Sequence, residues 1–431
     1  MLKKLFDKIK KNVPADMLWV FGSGAASQLF GFLSSVIVVR MLNKAEYGLY
    51  VGAYNKYSYF ATFLGLGFAT TILQYCTENA SQSRKNAIMR FGLRFGTGFN
   101  FVLMFMMLIL GLLMNAQGKG PYLIMMCAYP FFTYLFFYYR NILRSRFDNR
   151  GYALMCMSNA MCLCVGNIIL TRLFGVTGFI VTTYIAYPLS VFVGIRLLKR
   201  GNFFSELNGE TDALNRNDKS ELIKYSAICA STSFVTIVLG LLDITCLEIL
   251  TGDSELLADY KVALAIPAAM QTVTDCLSNY YHPILIKMYS GEKDSFNSFV
   301  KKVACVYAAV SFVMSAFLFA LAPVIIKVIY GAKYMNVVPV FRILCLHLFV
   351  SSGLHKLLGY VIMSIKKIRV NLYFSSLSAV LNIVLDVIMI KSFGSVGAAW
   401  ATFIVSVFIT VLEVVFVARQ LFSTVKRQTS A

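Results

Sequence analysis

Residues 196–221 read RLLKRGNFFSELNGETDALNRNDKSE, and no other polar stretch of comparable length occurs in the chain. It sits at the midpoint of 431 residues, of which 58% are hydrophobic and 14% charged. Soluble proteins carry about 25% charged residues, and the mean hydropathy here is +0.70. These figures exclude a water-soluble globule and a disordered chain alike. On either side lie apolar segments long enough to cross a bilayer, which takes roughly 20 helical residues. The stretch therefore reads as a linker between two lobes of an all-α polytopic membrane protein, one over 1–207 and one over 208–431.

Working outward, each lobe offers six spans. They fall at about 17–39, 48–75, 92–114, 121–139, 151–171 and 176–195, then at 222–250, 257–286, 303–326, 338–363, 371–390 and 396–417. Lys and Arg alternate in density between successive connections. One side collects Lys3, Lys4, Lys8, Lys10 and Lys11, then Arg84, Lys85 and Arg90, and then Arg140, Arg144, Arg146 and Arg150. Five cations of the linker, four over 287–302, Lys366, Lys367 and Arg369, and the C-terminal tail follow on that side. The other side holds only scattered cations such as Arg40, Lys44 and Lys119. The positive-inside rule then makes both termini cytoplasmic and the span count even. The formal charge of +20 belongs to loops facing anionic lipid and predicts membrane lipids as partners, not nucleic acid. No cleavable signal peptide is expected. The first fifteen residues place Leu2, Leu5, Phe6 and Ile9 at helical spacing among lysines, as an interfacial helix does. The ten cysteines lie mostly within apolar runs without metal-ligand spacing, so neither a disulfide framework nor a bound metal or cofactor is expected.

The two lobes repeat. FGVTGFIVTTY (Phe174 to Tyr184) matches FGSVGAAWATF (Phe393 to Phe403), pairing Gly175 with Gly394, Gly178 with Gly397 and Thr183 with Thr402. YGLYVGA (Tyr47 to Ala53) resembles LADYKVA (Leu257 to Ala263), pairing Tyr50 with Tyr260. Six spans per repeat give both halves the same orientation, the arrangement of transporters with parallel repeats.

These segments resemble those of Wzx-type polysaccharide flippases, in the superfamily that includes multidrug and toxin extrusion transporters. VVRMLNKAEYGLY (Val38 to Tyr50) is similar to an Arg-x-Leu, spacer, Tyr-Gly-x-Tyr segment of that family, and LGLGFATTILQY (Leu64 to Tyr75) follows in the expected place. YGAKYMNVVPVFRIL (Tyr330 to Leu344) resembles the opening of its span 10. LNIVLDVIMIKSFGSVGAAWAT (Leu381 to Thr402) resembles its spans 11 and 12; Ala258, where the family often has Gly, departs. The resemblance implies two pseudo-symmetric six-helix bundles forming a V-shaped cleft. It also implies a substrate, an undecaprenyl-pyrophosphate-linked oligosaccharide repeat unit of an O-antigen, lipopolysaccharide or capsule, moved to the outer leaflet of a bacterial cytoplasmic membrane. A polysaccharide polymerase is then a candidate partner.

Charges within spans are costly and should face an aqueous interior. In span 8, Lys261, Ala265, Ala268, Thr272, Asp275, Asn279 and His282 recur every three or four residues on one face, either lining a wet cavity or making helix–helix contacts. Tyr47, Tyr50, Tyr54 and Tyr57 recur likewise in span 2, either stacking on sugars or forming an interfacial belt. Lys56, Arg94 and Lys261 are the cations that could meet a pyrophosphate, although Lys56 and Arg94 could instead snorkel to the interface. Asp243 and Asp275 lead as groups coupling transport to H+ or Na+, unless they serve only in salt bridges, such as one from Asp243 to Lys261. Asp386 and Glu413 are further acids within spans. No nucleophile–base pair, metal cluster or phosphate-cradling loop points to an enzyme. The alternatives are a multidrug and toxin extrusion antiporter and, more distantly, a membrane-embedded polysaccharide polymerase.

Overall fold

The computed structural model describes residues 15–77, 81–115, 118–209, 212–291, 293–365 and 367–428. The interfacial helix expected over the first fifteen residues falls almost entirely outside them. Every regular element among the described residues is helical. In order these are α1 (Ala15–Met41), α2 (Lys44–Ala61), α3 (Phe68–Thr77), α4 (Gln82–Leu113), α5 (Gly120–Met125), α6 (Tyr129–Ser145), α7 (Asn149–Arg200) and α8 (Phe203–Leu207). Then come α9 (Arg216–Thr251), α10 (Ser254–Gly291), α11 (Lys293–Ala320), α12 (Ala322–Ile329), α13 (Val338–Val350), α14 (Lys356–Ser364) and α15 (Ile368–Gln428). The packing is inverted relative to a soluble bundle. On α4 the buried side is Gly92, Gly96, Asn100, Leu103 and Met107, whereas Phe101, Phe105, Ile109 and Leu112 are exposed. An apolar outer face and a small or polar inner one suit a solvent of lipid tails, where close backbone approach holds helices together.

Among the described residues, eight helical stretches are long and apolar enough to cross a membrane, and α9 adds a ninth as a bent pair. Two of the eight are 52 residues long, far more than one crossing needs. Each is a hairpin. In α7 the chain turns at Gly175 (φ 59°, ψ −138°), and the Ser190 hydroxyl reaches Asn159 Oδ1 at 3.3 Å. Along a straight helix those two would stand roughly 45 Å apart. α15 turns in the same way at Gly394 (φ 55°, ψ −133°). With α10, a further 38-residue helix, the architecture accommodates the twelve crossings read from the sequence.

The second span differs from the unbroken helix expected over 48–75. It breaks at Leu64–Gly67, where Gly65, Leu66 and Gly67 all have positive φ. The break is held by Asn100 of α4, whose Oδ1 accepts from the Gly65 backbone N–H at 3.0 Å. Tyr134 of α6 packs where a Cβ on Gly65 or Gly96 would sit. The LGLG segment is therefore a built-in corner that only glycine-rich backbone can turn.

The chain divides into two compact units, Met1–Gly240 and Leu241–Ala431. The first stretch of α9 thus belongs with the first unit. The Ser226 hydroxyl is 2.6 Å from that of Thr71 on α3, and Gly67 lies against the Ser226 carbonyl. The linker itself is laid on the first unit. Arg146 pairs with Glu206 at 2.6 Å, Asn86 Nδ2 donates to the Glu206 carbonyl at 2.6 Å, and Arg84 reaches Asp218 at 3.1 Å.

Candidate functional site

Two cavities share a wall inside the first unit. One, of about 500 Å³, lies among α1, α2, α6 and both arms of α7; its lining includes Ser34, Tyr50, Tyr54, Tyr57, Tyr129, Asn167, Thr183 and Tyr187. The other, of about 460 Å³, lies among α2, the LGLG corner, α6 and the start of α9; Ser58, Thr62, Thr133, Asn141 and Ser233 face it. Tyr54, Tyr57, Phe137, Arg140 and Tyr187 border both.

The tyrosines expected on α2 form a ladder. Ring centroids of Tyr47 and Tyr50 are 6.2 Å apart, those of Tyr50 and Tyr54 5.7 Å, and those of Tyr54 and Tyr57 5.5 Å. Tyr129 meets Tyr57 edge-on at 5.3 Å. The Tyr57 hydroxyl lies 3.3 Å from that of Thr133, and Tyr129 donates to the Ile180 carbonyl at 2.7 Å. These hydroxyl contacts fix the orientation of the Tyr57 and Tyr129 rings. Tyr50, Tyr54 and Tyr57 therefore line the interior of the bundle rather than an interfacial belt.

Of the cations singled out from the sequence, Lys56 is half-buried on another face of α2 and Arg94 is exposed on α4; neither borders these cavities. Arg140, assigned to a loop from its charge, does border them. Nothing between Phe131 and Ser145 breaks a helix, so α6 runs on past Arg140 and carries it up beside the cavity. A signal was present: Tyr129, Thr133, Phe136, Phe137 and Arg140 recur at helical spacing on one face.

The second unit holds an acidic site instead. Asp243 of α9 accepts a hydrogen bond from the Tyr260 hydroxyl of α10 and one from Thr402 of α15 at 2.7 Å. Asn382 Nδ2 stands 3.4 Å from the same Thr402 hydroxyl. Asp386, one helical turn beyond Asn382, is fully buried, and among the described residues the Cys246 thiol is the neighbour that its carboxylate meets. Lys261 follows Tyr260 but does not pair with Asp243; it is half-buried on α10. Asp275 meets Lys356 of α14 at 2.5 Å, a partner that the scattered charges of span 10 did not reveal. Lys356 also reaches the Thr274 hydroxyl at 3.4 Å, while Thr272 is half-buried on the same helix as Asp275. The side chains of Asn279 and His282 lie outside the described residues. Glu413 pairs with His355 at 2.8 Å, at a π-helical turn over Ser351–His355.

The repeat explains why the two sites differ. Tyr50, Thr183 and Asn167 of the first unit stand where Tyr260, Thr402 and Asp386 stand in the second. Asn167 donates to the Ser34 hydroxyl at 2.7 Å, a neutral contact in place of the carboxylates. One scaffold thus presents an aromatic cavity without carboxylates in one copy and a pair of acids, Asp386 buried and Asp243 half-buried, in the other.

The chain is thus a helical membrane protein built from two like hairpin-ended bundles. A family model described as polysaccharide biosynthesis protein matches residues 13–287, and this chain belongs to that family. An uncharacterized membrane protein of Methanocaldococcus jannaschii is 22% identical over 423 residues, covering 91% of this chain and 81% of its own. Among solved structures, the inward-facing form of a multidrug resistance MATE family transporter aligns with a TM-score of 0.72 at 13% identity, over 94% of this chain and 96% of its own. The lipid II flippase MurJ, in an inward closed conformation, aligns with a TM-score of 0.70 at 13% identity, over 92% and 86%. The fold is the one these transporters share, as the motifs implied.

Proposed function

We propose that this protein is a flippase of an undecaprenyl-pyrophosphate-linked oligosaccharide repeat unit. It moves that unit from the inner to the outer leaflet of a bacterial cytoplasmic membrane by alternating access, with both termini cytoplasmic. The observation that carries this reading is the tyrosine-lined pair of cavities in the first unit. Sugar rings present C–H faces that stack on aromatic rings, and their hydroxyls find partners in Thr, Ser and Asn side chains. Family membership and the fold shared with a lipid II flippase support the same reading.

The described lining of both cavities contains no carboxylate. An extruder of cationic drugs would want acids there, so the observations favour the flippase over the multidrug reading; the polymerase reading finds no grouping of catalytic side chains among the described residues. Lys261, with no ion-pair partner among the described residues, is a second cation available to an anionic substrate. Coupling to a H+ or Na+ gradient falls to Asp243 with Asp386. Two neighbouring carboxylates, Asp386 buried and Asp243 half-buried, bind a proton or a cation strongly, and filling the site biases one conformation. Asp275 is less suited because Lys356 already neutralises it.

The test is a clean deletion strain. Lipid-linked oligosaccharide should accumulate in the inner leaflet, and complementation with Lys261→Ala should restore protein but not export. Normal surface polymer in the deletion strain refutes the reading.

A further inference from the structure

Three arginines crowd the end of α6, and the structure treats them differently. Arg146 is neutralised by Glu206 at 2.6 Å. Arg144 is exposed. Arg140 is turned inward and has no ion-pair partner among the described residues. Its guanidinium carbon sits 4.5 Å from the Phe137 ring centroid, 5.7 Å from that of Phe136 and 5.8 Å from that of Tyr152. Its Nε is buried without a hydrogen bond, and the Cys156 thiol is its polar neighbour on α7. Stacked rings hold the guanidinium plane in place but satisfy few of its N–H groups. A half-buried charge without a counter-ion is costly, and a ligand anion would relieve that cost.

Resting on the flippase reading, we propose that Arg140 is an anion subsite for a diphosphate group, placed at the wall between the two tyrosine-lined cavities. A guanidinium matches phosphate oxygens in a bidentate fork. Among the described residues lining either cavity, it is the one formal charge. A diphosphate held there leaves the sugar attached to it beside Tyr54 and Tyr57, which border the same wall. The subsite therefore reads the junction between carrier and glycan, the part common to every lipid-linked saccharide, and leaves the sugar sequence to the surrounding rings.

The test uses the full chain in lipid nanodiscs with farnesyl diphosphate as probe, farnesol as its neutral counterpart, and tyrosine fluorescence as readout. Farnesyl diphosphate should bind saturably and farnesol should not. Arg140→Gln should weaken diphosphate binding about tenfold or more, the effect of losing a charge-assisted hydrogen bond, and Arg140→Lys should weaken it less. Arg144→Gln should leave it unchanged. Raising salt should weaken wild type more than Arg140→Gln. A thermal melt of each variant separates lost binding from lost folding, and if Arg140→Gln melts early, the Lys variant and the salt dependence carry the test. Wild-type affinity in folded Arg140→Gln overturns the subsite. Glucuronate competing as well as inorganic pyrophosphate also overturns it, by showing that Arg140 reads sugar carboxylates. Arg140-dependent diphosphate binding together with normal polymer in the deletion strain would instead remove the transport reading and leave the subsite standing.

Discussion

Gly175 and Gly394, 219 residues apart, hold the same backbone conformation, with φ 59° and ψ −138° in one and φ 55° and ψ −133° in the other. Three residues on, a Cβ at Gly178 would come within 1.9 Å of the Leu170 carbonyl oxygen, and one at Gly397 within 2.1 Å of the Met389 oxygen. Leu170 and Met389 are related by that same spacing. The sequence repeat is thus a structural repeat down to individual carbonyl contacts. Each copy needs one glycine to reverse the chain and another to let the returning helix touch the first.

Substituting either turn glycine should therefore cost stability. Gly175→Ala and Gly394→Ala place a side chain in a conformation nearly restricted to glycine, at about 1–3 kcal/mol each. Gly178→Ala and Gly397→Ala should cost more, because the obstacle is backbone. Thermal melts in detergent measure this; variants melting like wild type contradict the hairpin geometry.

Tyr54 is 38% exposed within its cavity, so Tyr54→Ala should change stability by only about 1 kcal/mol while reducing export severalfold. Tyr57→Phe should lose the contact with Thr133, costing about 1 kcal/mol, and retain more export than Tyr54→Ala. Surface polymer measured alongside protein level checks both, and unchanged export in Tyr54→Ala argues against stacking.

Asp243→Asn should reduce the dependence of transport on an ion gradient more than Asp275→Asn does, since Asp275 is already paired with Lys356. Vesicle transport under imposed H+ and Na+ gradients is the measurement. Equal effects of the two variants argue that the acids serve as general helix contacts.

The linker should release in acid. The Arg146 guanidinium, hydrogen-bonded to Glu206, holds that carboxyl below its ordinary 4.5 against a smaller opposing effect of burial. A lowered folded-state value means the contact contributes above about pH 4.5 and fades as pH falls through the lowered value. Because the pair is partly exposed, its contribution is small. Hydrogen-exchange protection factors of Phe203–Leu207, corrected for the intrinsic pH dependence of amide exchange, should fall on acidification below the ordinary 4.5, and Glu206→Gln should lack that protection already at neutral pH.

Much of this was legible in the amino-acid order. Apolar runs, the polar midpoint and the paired FG-x-x-G turns fix twelve crossings and a duplication, since burying backbone in lipid permits little else. The tyrosine spacing on α2 and the in-span position of Asp243 were equally plain. The sequence could not assign Arg140, because a basic residue near a span end obeys the positive-inside rule whether it points to water or into the bundle. Nor could it pair Asp275 with Lys356, 81 residues apart, or show that Tyr260 and Thr402, not Lys261, are the partners of Asp243.

Periodicity along a helix states which residues share a face, and that the sequence determined by itself. Which face meets which is a property of how helices pack, set by glycine contacts such as Gly96 with Tyr134 and by corners such as Gly65–Gly67. Only the tertiary structure decided, therefore, that the aromatic ladder and an uncompensated guanidinium share one wall. It alone also showed that the same scaffold, repeated, encloses two carboxylates in place of a neutral contact.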